Sequence, residues 1–398
     1  MFMIKGFKTE IKPNNKQITM LKQHCGAARF AYNWGLSQRI QQYKDTKKSD
    51  NAIQQHKTLN KLKKTEFSWM YNVSKCAPQE ALRNLDTAYK KFFRDKKSFP
   101  NFKKKKEGRG SFSLTGSIEV FANKVKLPRI GIIKLKEHNY LPNVKPSQIT
   151  VSETCGRWFV SFNLKIENDV ETLSNDVIGI DLGINKLAVL SNGTVFENSK
   201  SLNKGLKRLK HAQKSLSKKI KGSNNRKKSI KKVAKQHFKI SNIRKDAIHK
   251  LTTEITKNKV SKVVIEDLSV SNMVKNHKLA RAISDCGFYE IRRQLEYKLK
   301  FIGTELVIAD RFFPSSKLCS NCGSKKDELS LSERTYVCEK CGLRIDRDYN
   351  SSLNLRNYTA SSAGIQVCGE SVNLASVSGQ VVSVKQKKDK KRSITKFL

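Results

Sequence analysis

The chain has 398 residues, and 80 Lys+Arg against 34 Asp+Glu give a formal charge of +46 at pH 7. Such an excess repels itself unless a large polyanion offsets it, and 37% hydrophobic residues suffice for real cores, which excludes a disordered basic tail. No run approaches the ~18 apolar residues of a membrane span, and the opening MFMIKGFKTEIKP lacks the apolar core of a secretion signal, so a soluble cytoplasmic protein of about two or three domains is expected.

Residues 4–12, with Met3, Phe7 and Ile11 on one face, read as a short strand ending at Pro13-Asn14-Asn15. Ile18, Leu21, Cys25, Ala28, Tyr32 and Leu36 then recur every three or four residues, the stripe of an amphipathic helix. The helical signal resumes over 51–94, where Ala77-Pro78-Gln79-Glu80 resembles a helix start. Residues 92–110 carry eight basic side chains among Phe99, Pro100 and Phe102, which fits a solvated loop and a nucleic-acid groove equally. Residues 111–114, 125–127, 130–136, 149–153 and 158–166 are strand-like, and Thr154-Cys155-Gly156 turns a hairpin. With the first strand they predict a small barrel into which the helical block is inserted.

A linker is expected at 171–175 and a second domain from Val177. Residues 177–184 form a nearly continuous apolar strand broken by Asp181, and 187–190 is its hairpin mate before Asn192-Gly193. Residues 201–250 hold 18 Lys+Arg and one acid, Asp246, and predict two basic helices broken near 222–225. A strand at 262–268, a helix at 289–301 and a strand at 305–309 complete an α/β pattern of the ribonuclease-H kind. The Ser-rich, basic tail from Tyr358 reads as disordered.

Four of the nine cysteines form Cys319-x-x-Cys322 and, after fifteen residues, Cys338-x-x-Cys341; the other five are scattered. Each pair brings two thiolates within reach of one tetrahedral ion, so one structural Zn²⁺ is expected, with Gly323 and Gly342 providing tight turns that aim amide hydrogens at the sulfurs. Four protein ligands close the coordination, so this zinc holds a fold and does not activate water.

Three acids stand in chemically suggestive places: Asp181 within VIGIDLGI, Glu266 at the end of KVVIED, and Asp348 in IDRDYNSSLNL. An acid inside an apolar strand is costly unless paired or metal-bound. Three such oxygen donors brought together would hold two Mg²⁺ ions ~4 Å apart for in-line attack of water on a phosphodiester. Asp267 points to the opposite strand face from Glu266, whereas Asp346 and Asp348 both precede a helix, and spacing alone does not choose between them.

Taken together, KTEIKPNNKQITMLKQHCGAARFAYNWGL, FPNFKKKKEGRGSFSL, GIDLGINKLAVLSNG, VVIEDLSVSNMVKNHKLARAISDCGF, DRFFPSSKLCSNCG and CEKCGLRIDRDYNSSLNL resemble TnpB, the OrfB-type protein of bacterial insertion sequences related to type V CRISPR nucleases. The resemblance runs almost end to end. It implies RuvC nuclease acids at Asp181, Glu266 and Asp348, the second Asp of DRD, and a zinc ribbon at Cys319, Cys322, Cys338 and Cys341. The fold it implies is multidomain and mixed α/β: a wedge-like N-terminal β-barrel over 1–171 with a helical recognition insertion at about 17–95, a RuvC-like nuclease domain over 172–357 with a target-binding zinc ribbon at 312–345, and a tail over 358–398. By the same resemblance 271–288 forms a lid over the nuclease site. The implied partners are an element-derived guide RNA and double-stranded DNA carrying a transposon-adjacent motif, the activity Mg²⁺-dependent guided cleavage by a monomeric bacterial protein. Arg344 is a candidate contact to the scissile phosphate. The rival readings are a transposase or strand-transfer accessory protein and a guided DNA-binding regulator that does not cut.

Overall fold

The computed structural model describes residues 2–95, 98–105, 109–167, 172–330 and 332–362. Strand β1 (Phe2–Lys12) is followed by helices α1 (Asn15–Thr46), α2 (Ala52–Leu62) and α3 (Cys76–Asp95), with a single 3₁₀ turn at Ser68–Asn72. Asn14 and Gln17 form a capping box at the start of α1, and Asn51 with Gln54 repeats it for α2. The polar breaks between the apolar stripes thus set where the helices begin.

Strands β2 (Arg109–Thr115), β3 (Glu119–Val120), β4 (Lys124–Leu127), β5 (Gly131–Leu135), β6 (Gln148–Thr154) and β7 (Arg157–Glu167) join β1 in one antiparallel sheet of order β2-β6-β7-β1-β5-β4-β3. Cys155 and Gly156, at φ 55° and 80°, make the expected two-residue turn between β6 and β7. The expected barrel does not close: among the described residues β2 and β3 form no ladder with each other. Edge strand β2 packs instead against α1 and α3, where the Phe112 ring lies 5.1 Å from His24, and β3 is only two residues long. One core joins the helical block to the sheet through Leu21, Leu36, Leu82, Leu85, Leu114 and Val160, all fully buried.

Part of the basic, aromatic run is pinned to this block. Asn33 donates from Nδ2 to the Lys103 carbonyl and accepts from its amide, at 3.0 and 2.8 Å, and the Lys103 ammonium sits 3.9 Å from the Tyr32 ring.

The second sheet comprises β8 (Ser174–Asp181), β9 (Lys186–Leu190), β10 (Val195–Glu197), β11 (Val260–Glu266) and β12 (Glu305–Ala309), in the order β10-β9-β8-β11-β12. The first three are antiparallel neighbours, whereas β11 runs parallel to both β8 and β12. Between β10 and β11 lie α4 (Ser201–Ser217) and α5 (Asn224–Lys257), the two basic helices expected. Short helices α6 (Val270–Met273) and α7 (Ala280–Cys286) lead into α8 (Phe288–Ile302) before β12. A two-stranded ribbon, β13 (Thr335–Val337) and β14 (Arg344–Asp346), precedes α9 (Arg347–Ser362). Of the linker expected at 171–175 only residue 171 lies outside the described residues, and 174–175 already belong to β8; the tail expected from 358 lies outside them from 363 on, and α9 continues to Ser362. Among the described residues no helix is long and apolar enough to cross a membrane.

Candidate active site and cysteine cluster

Asp181 ends β8 and Glu266 ends the parallel neighbour β11, whose Ile265 is in register with Ile180. Parallel pairing therefore delivers both carboxylates to the carboxyl edge of the sheet, where α/β proteins bind ligands. Asp348 arrives from the first turn of α9, which lies directly on β8. Gly179 permits that approach, because a Cβ there would stand 2.1 Å from the Ser352 carbonyl oxygen and 2.3 Å from the Arg356 amide nitrogen. Only hydrogen fits between strand and helix at this point.

The three acids line one cavity of about 650 Å³ together with Ser351, Arg334 and Arg347. Burial pushes the Asp181 carboxyl well above its ordinary range, and the negative charges of Glu266 and Asp348 push it further. The Ser351 hydroxyl, donating to Asp181 Oδ1 at 2.9 Å, and the charge of Arg347 offset this only in part. Glu266 is raised too, by burial, against a hydrogen bond that its Oε1 accepts from the Ser315 hydroxyl. Arg347 stands 3.4 Å from Asp348 Oδ1. Lys317, Arg334 and Arg347 also line the cavity, yet Asp181 and Glu266 stay raised, and three hard oxygen donors in that state suit a divalent ion such as Mg²⁺.

The near competitors are engaged elsewhere. Asp346 Oδ1 accepts the amides of Asp348 and Tyr349 at 3.1 and 3.0 Å, capping α9, while Oδ2 pairs with Lys186 at 2.9 Å. Burial alone would raise its carboxyl, yet Lys186 and these amides hold it below the ordinary value. Asp267 faces away and pairs with Arg292 and Arg311, and Arg311 first among its partners lowers its carboxyl. Arg344, the candidate phosphate contact, is exposed and does not line the cavity; Arg334 and Arg347 do.

Residues 271–288 run beside this cavity through Leu279, part of its lining. Asp285 anchors the segment's far end. Its buried carboxylate accepts from the Ser201 hydroxyl at 2.7 Å, the Leu202 amide at 2.8 Å and the Arg244 guanidinium at 2.6 Å, tying α7 to both basic helices. Sequence reading missed Asp285 as it missed Gly179, Ser315 and Ser351. Only the small side chain within an apolar strand at Gly179 hinted at a close approach.

The four cysteine sulfurs all lie within 4.8 Å of one another. Cys319 and Cys341 are 3.6 Å apart, as are Cys322 and Cys338. Gly323 and Gly342, both at φ 72°, return their amides to the carbonyls of Cys319 and Cys338 at 2.9 and 3.0 Å. The amides that reach sulfur are instead those of Asn321 and Cys322 on Cys319, of Ser324 on Cys322, and of Lys340 and Cys341 on Cys338. The Ser324 hydroxyl and then the last two amides push the Cys338 thiol down to about 6, the thiolate form a metal takes. Soft donors in a closed set of four fit Zn²⁺. Buried Asn350 and Asn354 of α9 donate to the Leu318 carbonyl at 2.6 and 2.8 Å, and Asn350 accepts the Ser320 amide at 3.0 Å. One helix therefore holds the first cysteine turn and presents Asp348.

The chain matches known proteins along most of its length. Three family models match the chain: OrfB_IS605, described as "Probable transposase", over residues 161–277; the Cas12f1-like TNB domain over 288–355; and an OrfB_IS605 helix-turn-helix domain over 1–48. The "Putative RNA-guided DNA endonuclease" of Streptomyces pristinaespiralis is 36% identical over 373 residues, covering 92% of each chain. The chain belongs to the TnpB/OrfB family. Another TnpB/OrfB relative, "Putative RNA-guided DNA endonuclease InsQ" of Escherichia coli (strain K12), is 33% identical across 93% of this chain and 95% of its own. The structure titled "Cryo-EM structure of the Cas12f1-sgRNA-target DNA complex" shares the fold, with a TM-score of 0.54 at 15% identity over 90% of this chain and 99% of that one. Within the segment matched as helix-turn-helix, the described residues hold one strand and one long helix.

Proposed function

We propose that this TnpB/OrfB protein is an RNA-guided DNA endonuclease that hydrolyses target phosphodiesters at the cavity of Asp181, Glu266 and Asp348. The observation that carries this reading is the convergence of three carboxylates, from two parallel strand ends and a helix start, in one cavity where burial and mutual repulsion favour a bound cation. Its relatives' names supply the guide and the substrate class, and the +46 charge suits two nucleic-acid partners. We assign Mg²⁺ to the three carboxylates, as two ions, and one structural Zn²⁺ to the four cysteines. Bound Mg²⁺ would supply Lewis-acid polarisation of the phosphodiester and a hydroxide nucleophile at neutral pH.

The chain's own residues hold that arrangement ready. Ser351 and Ser315 fix the orientation of Asp181 and Glu266 by donating to one oxygen of each. Arg334 and Arg347 line the same cavity, where they offset phosphate charge as it enters. In this reading residues 1–171 hold scaffold RNA and motif duplex, 172–357 form the RuvC-like nuclease, 312–345 the zinc-ribbon insert, and 271–288 cover the site.

The test is sequencing of the RNA that copurifies at high salt, followed by cleavage with that RNA of a plasmid library with randomised flanks in Mg²⁺. Depletion of one flank, lost in Asp348→Ala, is the expected result. A defined RNA with target binding but no cutting by the unmodified protein would replace the reading with a non-cleaving regulator.

A further inference from the structure

Helices α4 and α5 face each other across a cleft of about 640 Å³, lined by Lys207, Arg208 and His211 on one side and Ser229, Lys232 and Lys235 on the other. Residues 198–245 contain no Asp or Glu, and among the described residues these four Lys and Arg side chains have no carboxylate within ion-pair distance. They are exposed and free to turn toward a ligand.

Two cationic faces repel, so something else must hold the hairpin closed. At its base, Gly205 lets α4 approach α5 so closely that a Cβ would meet Ile240 at 2.6 Å, and Asp285 joins the start of α4 to Arg244 of α5. At its tip, Arg226 donates to the carbonyls of Leu216 and Lys219 at 3.3 and 3.0 Å. The cleft is thus braced at both ends, while the repulsion across its middle is left uncompensated. A preformed cationic slot of that kind matches a chain of phosphates, which supplies one negative charge per nucleotide and gains by releasing counterions.

We infer that the α4/α5 cleft is a binding site for a phosphodiester backbone, separate from the acid cavity. The inference deepens the proposed function and rests on it for the identity of the nucleic acids available: the guide RNA or the target DNA. The shared chemistry is the phosphate backbone.

The test compares Arg208→Gln/Lys232→Gln with Lys210→Gln/Lys227→Gln, which removes the same charge from exposed positions outside the cleft. Affinity for the copurifying RNA, and separately for a DNA duplex, is measured across a salt series in the full-length protein. The cleft pair is expected to lower affinity about tenfold and to reduce the salt slope by roughly 1.4–1.8, the loss of two phosphate contacts, with a much smaller effect in the control. A change confined to RNA assigns the guide, and one confined to DNA assigns the target. Lys207→Gln/Lys235→Gln repeats the measurement from the other diagonal, and unchanged thermal melting verifies folding. Unchanged slopes in both cleft pairs, or equal loss in the control, would overturn the inference. The salt slope reads binding alone, so it stands even if the protein proves unable to cut; cutting with an unchanged slope removes only the cleft.

Discussion

Glu10 in the first sheet and Asp181 in the second are both acids on strands, and their surroundings drive them in opposite directions. Burial would raise Glu10, but Arg157 of β7 and Lys136, just past β5, grip it and hold it below its ordinary range. Asp181 meets two further carboxylates and receives one hydroxyl, and it is raised. A paired acid belongs to the architecture, whereas a clustered one carries a repulsion that a bound cation would relieve.

The largest effect that tests this contrast is Asp181→Asn, which should reduce cleavage on the order of a thousandfold, equivalent to several kcal/mol of lost transition-state stabilisation. The same substitution should raise the melting temperature in chelator, because a neutral amide ends the repulsion with Glu266 and Asp348. A lower melting temperature would show that Asp181 is structural after all. Next comes Gly179→Ala, which alters no acid. It should lift α9 from β8, displace Asp348 and cut activity by about a hundredfold, while guide binding persists; full activity would mean that α9 carries nothing the reaction needs.

Cys338→Ser should lower zinc content and, because Asn350 and Asn354 couple the first cysteine turn to α9, depress cleavage as well. Unchanged metal stoichiometry by atomic emission would refute the zinc assignment. The smallest effect belongs to Glu10→Gln, at under about 1 kcal/mol because both cationic partners are more than a third exposed. With a folded pKa below 4.5, the Glu10 contribution is fully present above the unfolded value and is lost as pH falls through the folded one. Chemical denaturation at several pH values checks this, and the mutant should lose that part of the acid sensitivity.

Much of the site was readable before folding because it breaks local rules: an acid interrupts an apolar strand at Asp181, and four cysteines pair at metal spacing. The strands β8, β11 and β12 and the basic helices α4 and α5 were equally plain from composition and period. Strand closure was not, since whether β2 meets β3 depends on helices far away in sequence that cover β2. Nor could spacing separate Asp346 from Asp348, because both sit at a helix start and Lys186, which engages Asp346, comes from β9. Asp285 looks like an ordinary polar residue in its heptapeptide, and its role exists only once α4, α5 and α7 converge.

Helix α9 also bears on how short such a chain can be made. Asn350 and Asn354 spend their amides on the Leu318 and Ser315 carbonyls, so trimming the cysteine ribbon to a plain turn would strand buried polar groups beneath Asp348. A smaller version of this protein has to lose its residues elsewhere, for instance from the exposed end of α1, and keep 313–358 as an indivisible block.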